Sequence, residues 1–315
     1  MKIPKVSVCI PAYNYGEFIG EAIQSVLDQT FGNFELIIVD NCSTDNTYEI
    51  VKSFKDKRIK YHRNSRNIGM VKNFNRCKSF SKGEYLLFIC ADDKISPQML
   101  EIASKVLDEN QDVAVVYSAC YTIDEKSNVI DIHKPFEKDH IWNGNFELLV
   151  NSIRMTVGMS TALVRKKCLD DVGGFDEKLE GAFDFDMWFR IWKRGYRGAY
   201  ISEPLASMRR HERSGSVKSK LEPMINDECR ILNKYPDEIN RFEFLGLWVI
   251  NFAALFLLNL KYDHKNIYRI ARFAREIKAK FNIGFYDAIC ITPHMIKTVF
   301  RRIPIYWRDR YLLFR

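Results

Sequence analysis

The sequence of 315 residues predicts an α/β protein, in which a mostly parallel central sheet is covered by helices on both faces. Two observations predict this fold class. Short apolar runs rich in β-branched residues, such as 6–10 and 35–39, alternate with segments in which apolar residues recur at helical spacing. Strands that alternate with helices in this way form parallel sheets buried between helical layers.

The first part of the chain supplies these elements in order. The helix predicted between the first two strands has its apolar residues on one face, at positions 18, 19, 22, 23, 26 and 27. Three further helices are predicted at 45–55, 69–81 and 97–109. Three further strands are predicted at 59–62, 84–90 and 114–118.

Beyond residue 120 the alternation is looser, but one more helix is predicted. Apolar residues at positions 185, 188, 189 and 192 fit one helical face, and Asp184 lies at the start of that helix. A carboxylate at a helix start is stabilised by the free N–H groups and the helix dipole. Taken alone, Asp184 is therefore better explained as an N-cap residue than as a functional acid.

Polar residues follow three of the predicted strands, at 11–14, 40–43 and 91–93. In open parallel sheets ligands bind at the carboxyl ends of the strands, where the strand order reverses. The last cluster contains two adjacent acids, Asp92 and Asp93, whose charges repel each other near a low-dielectric core. Such a pair indicates either a solvated turn or a site for a hard divalent cation.

Composition and charge argue against a disordered chain and against a nucleic-acid-binding protein. A hydrophobic content of 47% with 28% charged residues is typical of a globular chain. The net charge of +8 is concentrated in residues 261–315, which carry 13 basic and 4 acidic side chains, a net charge of +9. Since the rest of the chain is close to neutral, we expect no nucleic acid as a partner.

The eight cysteines are scattered singly, without a C-x-x-C pair or the Cys/His spacing of a zinc site. This usage is typical of reduced, buried cysteines in a reducing compartment. Residues 1–10 lack the apolar core of a signal peptide. We therefore expect a cytoplasmic location.

The C-terminal part has two features related to membranes. Residues 244–260 form a stretch of 17 residues without a charge, shorter than the ~20 needed to span a bilayer, which favours a buried or membrane-resting helix. The final residues mix Arg with Tyr, Trp and Phe, a pattern typical of a segment on an anionic membrane surface. A solvated basic helix is the alternative. With the tail on the membrane, the protein would be peripheral on the inner face of the cell membrane.

Five stretches, in this order and spacing, resemble the family 2 glycosyltransferases of bacterial surface-polysaccharide synthesis. They are 6–47, 67–93, 172–179, 183–190 and 208–216. The resemblance implies a GT-A fold, with a nucleotide-sugar half at 1–120, an acceptor-binding half at 121–240 and a helical basic extension at 241–315. It also implies an inverting enzyme that moves a sugar from a UDP- or dTDP-sugar to a hydroxyl of a lipid-linked glycan.

The resemblance assigns several residues to the binding of the nucleotide base of the sugar donor. The positions that hold the pyrimidine nucleoside in the family are matched by Pro11, Ala12 and Tyr13. Asn41 stands where the family usually has an acid that accepts the imide N–H of the base. Its amide can accept that proton and donate to a base carbonyl. Asn67 and Gly69 match the loop that closes over the base.

The diphosphate and metal positions are also matched. Asp92 and Asp93 match the last two acids of the family's D-A-D-D pattern, and Cys90 stands at the first. The implied cofactor is Mg²⁺ or Mn²⁺, bridged to the diphosphate. The stretch MRRHERSGS matches a loop that folds over the diphosphate. In it, Arg209 would bind phosphate, and His211 would bind phosphate or the metal.

An inverting displacement needs a base that removes the proton of the acceptor hydroxyl. The family pattern is E-D-x-D-x-W, in which the second acid is this base. Here the pattern reads F-D-F-D-M-W from Phe183, so Asp184 matches the base and Asp186 is expected to be structural.

Two other functions remain open on the sequence. A nucleotidyltransferase on a similar sheet would need a Gly-rich phosphate loop after the first strand, which residues 11–16 lack. An inactive carbohydrate-binding or scaffolding protein stays open because Cys90 and Phe183 replace two acids of the family.

Overall fold

The computed structural model describes residues 3–144, 147, 156–211, 227 and 231. The chain divides into two units, Met1–Ile231 and Leu232–Arg315, and all the described residues lie in the first. The predicted extension at 241–315, with its apolar stretch and basic tail, lies outside the described residues. Within the described residues, no helix combines the length and apolar character that a bilayer crossing requires.

The first part of the chain forms four parallel strands with helices between them, as predicted. The strands are β1 (Val6–Ala12), β2 (Phe34–Asp40), β3 (Ile59–Arg63) and β4 (Tyr85–Phe88). The helices are α1 (Ile19–Leu27), α2 (Thr47–Ser53), α3 (Met70–Phe80) and α4 (Met99–Glu109). The order in the sheet is β3-β2-β1-β4, so the strand order reverses at β1. The ends of β1, β2 and β4 therefore lie at one edge of the sheet, where a ligand is expected.

The second part of the chain extends the same sheet. Its elements are β5 (Lys94–Ile95), β6 (Val113–Ile123), β7 (Val129–His133), β8 (His140–Trp142), a 3₁₀ turn (Met159–Thr161), β9 (Ala162–Arg165), α5 (Lys166–Asp171), α6 (Phe183–Lys193) and β10 (Arg197–Arg209). The order continues as β4-β9-β6-β10-β5, with β9 antiparallel between β4 and β6. Because β6 crosses residue 120, both predicted halves contribute to one sheet.

The core lies between the sheet and its helices. All seven residues of β2 are buried, and so are six of the seven in β1. A strand covered on both faces buries its side chains on both sides, which explains why most positions of these strands are apolar and do not alternate with exposed polar ones. Helix α1 packs on the sheet through Ile19, Ala22, Ile23 and Val26, the face predicted from their spacing.

Helix α6 packs on neighbouring aromatic side chains through its apolar face, and it contains one internal ion pair. The Phe183 ring lies 5.1 Å from that of Phe74 and 5.5 Å from that of Phe175, measured between centroids. Asp186 is fully buried and pairs with Arg190 at 2.6 Å. The structural role expected for Asp186 is confirmed, and the helix fixes the position of Asp184.

Candidate active site

The loops after β1 and β2 are tied together by hydrogen bonds. The backbone N–H of Asn14 donates to Ser43 Oγ at 2.9 Å, and the Thr44 N–H donates to Asn14 Oδ1 at 2.8 Å. The Gly16 N–H donates to Asp45 Oδ2 at 2.9 Å. The two loops thus form one rigid border of the sheet edge, where the base of a nucleotide is expected.

The residues predicted to hold the nucleoside lie on this border. Ala12 is buried, and its carbonyl oxygen accepts the Asn41 N–H at 2.8 Å. Pro11 ends the apolar part of β1 and is partly buried. The Tyr13 side chain is 42% exposed, so its ring is accessible for stacking.

The side-chain amide of Asn41 holds the loop that follows β3 by hydrogen bonds. Its Oδ1 accepts the backbone N–H of Ile68 and the Asn64 amide, both at 2.9 Å. Its Nδ2 donates to Asn67 Oδ1 at 2.8 Å. The bond from the Ile68 backbone fixes the orientation of the Asn41 amide, because an N–H can only meet the oxygen. The amide groups of Asn41 that the sequence assigns to the nucleotide base are thus already hydrogen-bonded within the protein. A contact with the nucleotide base would have to replace one of these hydrogen bonds.

Asn67 and Gly69 form the other side of this closure. Asn67 Oδ1 also accepts the Gly69 N–H at 2.9 Å. Gly69 has φ +88°, a left-handed conformation that favours glycine, and it precedes α3 directly. The loop matched from the sequence therefore lies beside Asn41, at the base end of the site.

Cys42 marks a strained point of the same border. It has φ +67°, in the left-handed region that favours glycine. The conformation is held by Asp40, which is buried and accepts the Ser43 N–H at 2.7 Å and the Tyr61 hydroxyl at 2.6 Å. The hydrogen bonds to Asp40 thus keep the backbone shape of the border at a residue that is not glycine.

Asp92 and Asp93 lie together beyond the end of β4, and both are buried. Burial raises the pKa of Asp93 well above its usual range, and the charge of Asp92 raises it further. Two hydrogen bonds to Asp93 oppose this rise: Ser160 Oγ donates to Oδ2 at 2.5 Å, and the Arg209 backbone N–H donates to Oδ1 at 2.8 Å. The pair is therefore fixed in place although its charges repel.

A divalent cation fits this group of residues. Ligand atoms of Cys90, Asp92 and Asp93 all lie within 4.8 Å of one another. Nε2 of His211, also a predicted ligand, lies 2.9 Å from Asp92 Oδ2. Carboxylate oxygens are the ligands that Mg²⁺ and Mn²⁺ prefer, and a cation would relieve the repulsion between the two acids.

Arg209 is a buried anchor for these acids. Its five guanidinium N–H groups donate to Asp92 O, Asp124 O and Glu125 O at 2.9 Å and to Glu21 Oε2 and Ser127 Oγ at 3.0 Å. A phosphate contact, as predicted from the sequence, would have to replace one of these bonds. What the geometry shows is that Arg209 holds the backbone of Asp92.

Asp184 lies in the first turn of α6. Its Oδ1 accepts the Phe185 N–H at 2.8 Å. Burial raises the pKa of its carboxyl group to about 6. A carboxylate with a pKa near the working pH has the properties required of a general base.

Cys90 lies beside the two acids of the predicted metal site. Burial raises the pKa of its thiol, and the charges of Asp93, Asp92 and Asp184 raise it further. The predicted base is therefore close enough for its charge to reach the thiol beside the predicted metal acids.

Two residues of this site were missed by the sequence analysis. Ser160, in the 3₁₀ turn before β9, accepts the Cys90 N–H at 3.0 Å and donates to Asp93. Glu21, in α1, pairs with Arg209 at 3.0 Å. Neither carries a sequence signal, because each acts only through a residue distant in the chain.

Comparisons with known proteins agree with this arrangement. Residues 7–173 match Glycosyl transferase family 2. An uncharacterized glycosyltransferase of Methanocaldococcus jannaschii is 33% identical over 213 residues, which cover 66% of this chain and 72% of that protein. A second, of Rickettsia typhi, is 33% identical over 60% of this chain and 58% of its own length. A third, of Rickettsia felis, is 31% identical over 73% of this chain and only 37% of its own length.

Among solved structures, S. aureus TarS 1-349 in complex with UDP-GlcNAc is similar, with a TM-score of 0.66 and 24% identity over 83% of this chain and 77% of that one. This likeness confirms the predicted α/β fold of GT-A type with its mostly parallel central sheet. The matched residues make up more than half of the chain and contain the acids after β4. The chain therefore belongs to glycosyl transferase family 2.

Proposed function

We propose that this chain is an inverting glycosyltransferase, which moves a sugar from a UDP-sugar or dTDP-sugar to a hydroxyl group of a lipid-linked glycan. The observation that carries the proposal is the pair of buried acids Asp92 and Asp93 beside Cys90 at the ligand-binding edge of the sheet, with Asp184 close enough for its charge to reach the same thiol. A pair of acids for the diphosphate and a separate acid with a raised pKa are what a single displacement requires.

The donor is proposed from the base end of the site and from a related structure. The TarS structures contain UDP-GlcNAc or UDP, which favours a uridine nucleotide here. In this chain, Tyr13 would stack on the base, and Asn41 would read it or hold the loop that does. Since uracil and thymine present the same imide N–H, both UDP and dTDP fit this assignment.

In the reaction, Asp92 and Asp93 would hold Mg²⁺ or Mn²⁺ with His211 beside them. When bound, the cation would neutralise the charge that builds on the leaving diphosphate. Arg209 and Ser160 would keep both acids in place. Asp184 would take the proton of the acceptor hydroxyl as that oxygen attacks the sugar carbon.

The proposed acceptor is inferred from the basic tail. A lipid-linked glycan lies at a membrane, and the net charge of +9 in residues 261–315 would bring the protein to the anionic inner face of the cell membrane. We expect the full chain to sediment with vesicles of anionic phospholipid, and a chain without 261–315 to stay in solution. Binding that is unchanged by the truncation would refute this assignment, and vesicles of neutral lipid are the control.

An inactive binding protein is the second candidate, because Cys90 and Phe183 replace two acids of the family pattern. Such a protein would keep the nucleotide or glycan affinity but would not turn over a donor. The position of Asp184 favours the enzyme, since a binding protein has no need of a buried acid with a raised pKa.

The experiment that tests the proposal is a thermal-shift series with UDP, dTDP, GDP and CDP, each with and without Mn²⁺. A nucleotide that binds the folded state raises its melting temperature by mass action, by an amount that grows with concentration. We expect a shift with UDP or dTDP that requires Mn²⁺ and is abolished by EDTA. A protein that responds to none of the four nucleotides would contradict the donor assignment.

A further inference from the structure

Asp227 is bound to the turn that leads into α6. One of its carboxylate oxygens, Oδ2, accepts the backbone N–H groups of Glu180 and Gly181, both at 2.7 Å, and that of Ala182 at 3.4 Å. Asp227 is 1% exposed and lies more than 40 positions further along the chain. It also lies beyond residues 7–173, the part that matches the family.

Three consecutive N–H groups that converge on one oxygen form a strong anion site. Asp227 and Ala182 are buried and Gly181 is partly buried, so without this acceptor the N–H groups would lose their partner and the turn would move to find others. The bonds from Asp227 are charge-assisted, so they hold the turn more firmly than a neutral acceptor would. The turn ends at Ala182, and α6 begins at the next residue.

The position of Asp184 depends on this turn. The body of α6 is fixed further along by Arg190, which pairs with Asp186 of the same helix and donates to the Gly174 carbonyl oxygen at 2.7 Å. The first turn of the helix, which carries Asp184, therefore lies between this contact and the bonds to Asp227. A carboxylate that is to take a proton in a displacement must be placed to within a fraction of an ångström.

We propose that Asp227 is a positioning residue, which sets the place of the Asp184 carboxylate by holding the three N–H groups before α6. The proposal rests on the proposed function in one respect, the role of Asp184 as the base. The anchoring of the turn is independent of that role, and it has its own test.

The test compares Asp227→Ala and Asp227→Asn in the full chain, with UDP-N-acetylglucosamine as donor, Mn²⁺, and water as acceptor. Alanine removes the acceptor, and we expect the rate of UDP release to fall about a hundredfold while the dissociation constant of UDP stays unchanged. Asparagine keeps an oxygen but no charge, so we expect a smaller loss. Hydrogen exchange of the backbone amides of residues 180–185 should become faster in the same order.

The matched control is Glu35→Gln. Glu35 is also a buried carboxylate that accepts a backbone N–H, that of Lys82 at 2.8 Å, but it lies in β2, a strand that does not carry Asp184. We expect Glu35→Gln to lower the melting temperature without lowering UDP release from the folded protein. Loss of turnover in the control equal to that of Asp227→Ala would overturn the proposal, since the effect would then be one of stability.

The two parts of the proposal fail separately. Unchanged exchange at 180–185 in Asp227→Ala would overturn the anchoring, and unchanged turnover would overturn the positioning of the base. If the unmodified protein binds UDP but releases none from the donor, the proposed function is wrong, and the exchange measurement still decides whether Asp227 anchors the turn.

Discussion

Replacement of Asp184 by asparagine is expected to lower the rate of sugar transfer about a thousandfold, the middle of the range for loss of a general base. Binding of UDP should not change, because Asp184 serves the acceptor and not the donor. Since burial raises the pKa of this carboxyl group, its charged form is costly in the folded state, and the amide should not lower the melting temperature. Single-turnover transfer and UDP titration measure the two effects.

The same assignment predicts a pH dependence. A base must be deprotonated to accept a proton, so kcat/KM should fall as the pH is lowered through about 6, the pKa to which burial raises Asp184. In Asp184→Asn this acid limb should be absent from the residual rate. A limb that persists unchanged in the variant would show that another group is the base.

Asp186→Asn is the matched control on the same helix. Asp186 is fully buried and paired with Arg190, so its loss leaves a buried guanidinium without its charge partner and should cost about 3 kcal/mol of folding free energy. We expect transfer by the folded fraction to continue. The two substitutions should thus differ: Asp184→Asn should lower the rate of transfer, and Asp186→Asn should lower the stability. An equal loss of rate in both would contradict the assignment of the general base to Asp184.

Asp93→Ala is expected to abolish the Mn²⁺-dependent part of donor binding. The substitution removes one of the two carboxylates that would hold the cation. Burial and the charge of Asp92 raise the pKa of Asp93, so removal of its charge should offset part of the stability lost with its hydrogen bonds from Ser160 and the Arg209 backbone. The measurement is the shift in melting temperature with UDP, with and without Mn²⁺.

Ser160→Ala provides a graded comparison for this result. It removes the hydrogen bond to Asp93 but leaves the carboxylate, so metal affinity should fall about 10- to 100-fold, as is usual when a partner of a metal ligand is lost. The UDP shift should then return at higher Mn²⁺ concentration, which it should not do in Asp93→Ala. A full Mn²⁺-dependent shift in Asp93→Ala would mean that the cation binds elsewhere.

The fold could be predicted from local patterns where the elements are regular. Runs such as 36–39 are apolar at every position because both faces of the sheet are covered, and the apolar face of α1 follows the helical period. The strands β7 and β8 were missed. The five residues of β7 include the apolar Val129, Ile130 and Ile132, but two of these are adjacent, so the strand does not alternate strictly between apolar and polar residues. Strand β10 was missed as well: it contains Pro204 next to two irregular pairings with β6, so its sequence does not read as one strand.

The candidate site was predictable where a residue acts directly and not where it acts through another. Asp92 and Asp93 were found because two acids after a buried strand require an explanation. Ser160 and Asp227 were not found, because their partners lie 67 and more than 40 positions away and only folding brings them together. Arg209 was found for its charge, but a sequence does not reveal that all five of its N–H groups are used inside the protein.

Residues far along the chain hold Asp92 and Asp93, which bears on the order in which the site forms during synthesis. The Arg209 backbone and His211 join these acids across 116 and 119 positions. During synthesis the first four strands leave the ribosome well before β10, and domains can begin to fold at that stage. The acids would then be present without the residues that hold them. The arrangement of the two acids would therefore be completed late, when the end of β10 closes this long loop.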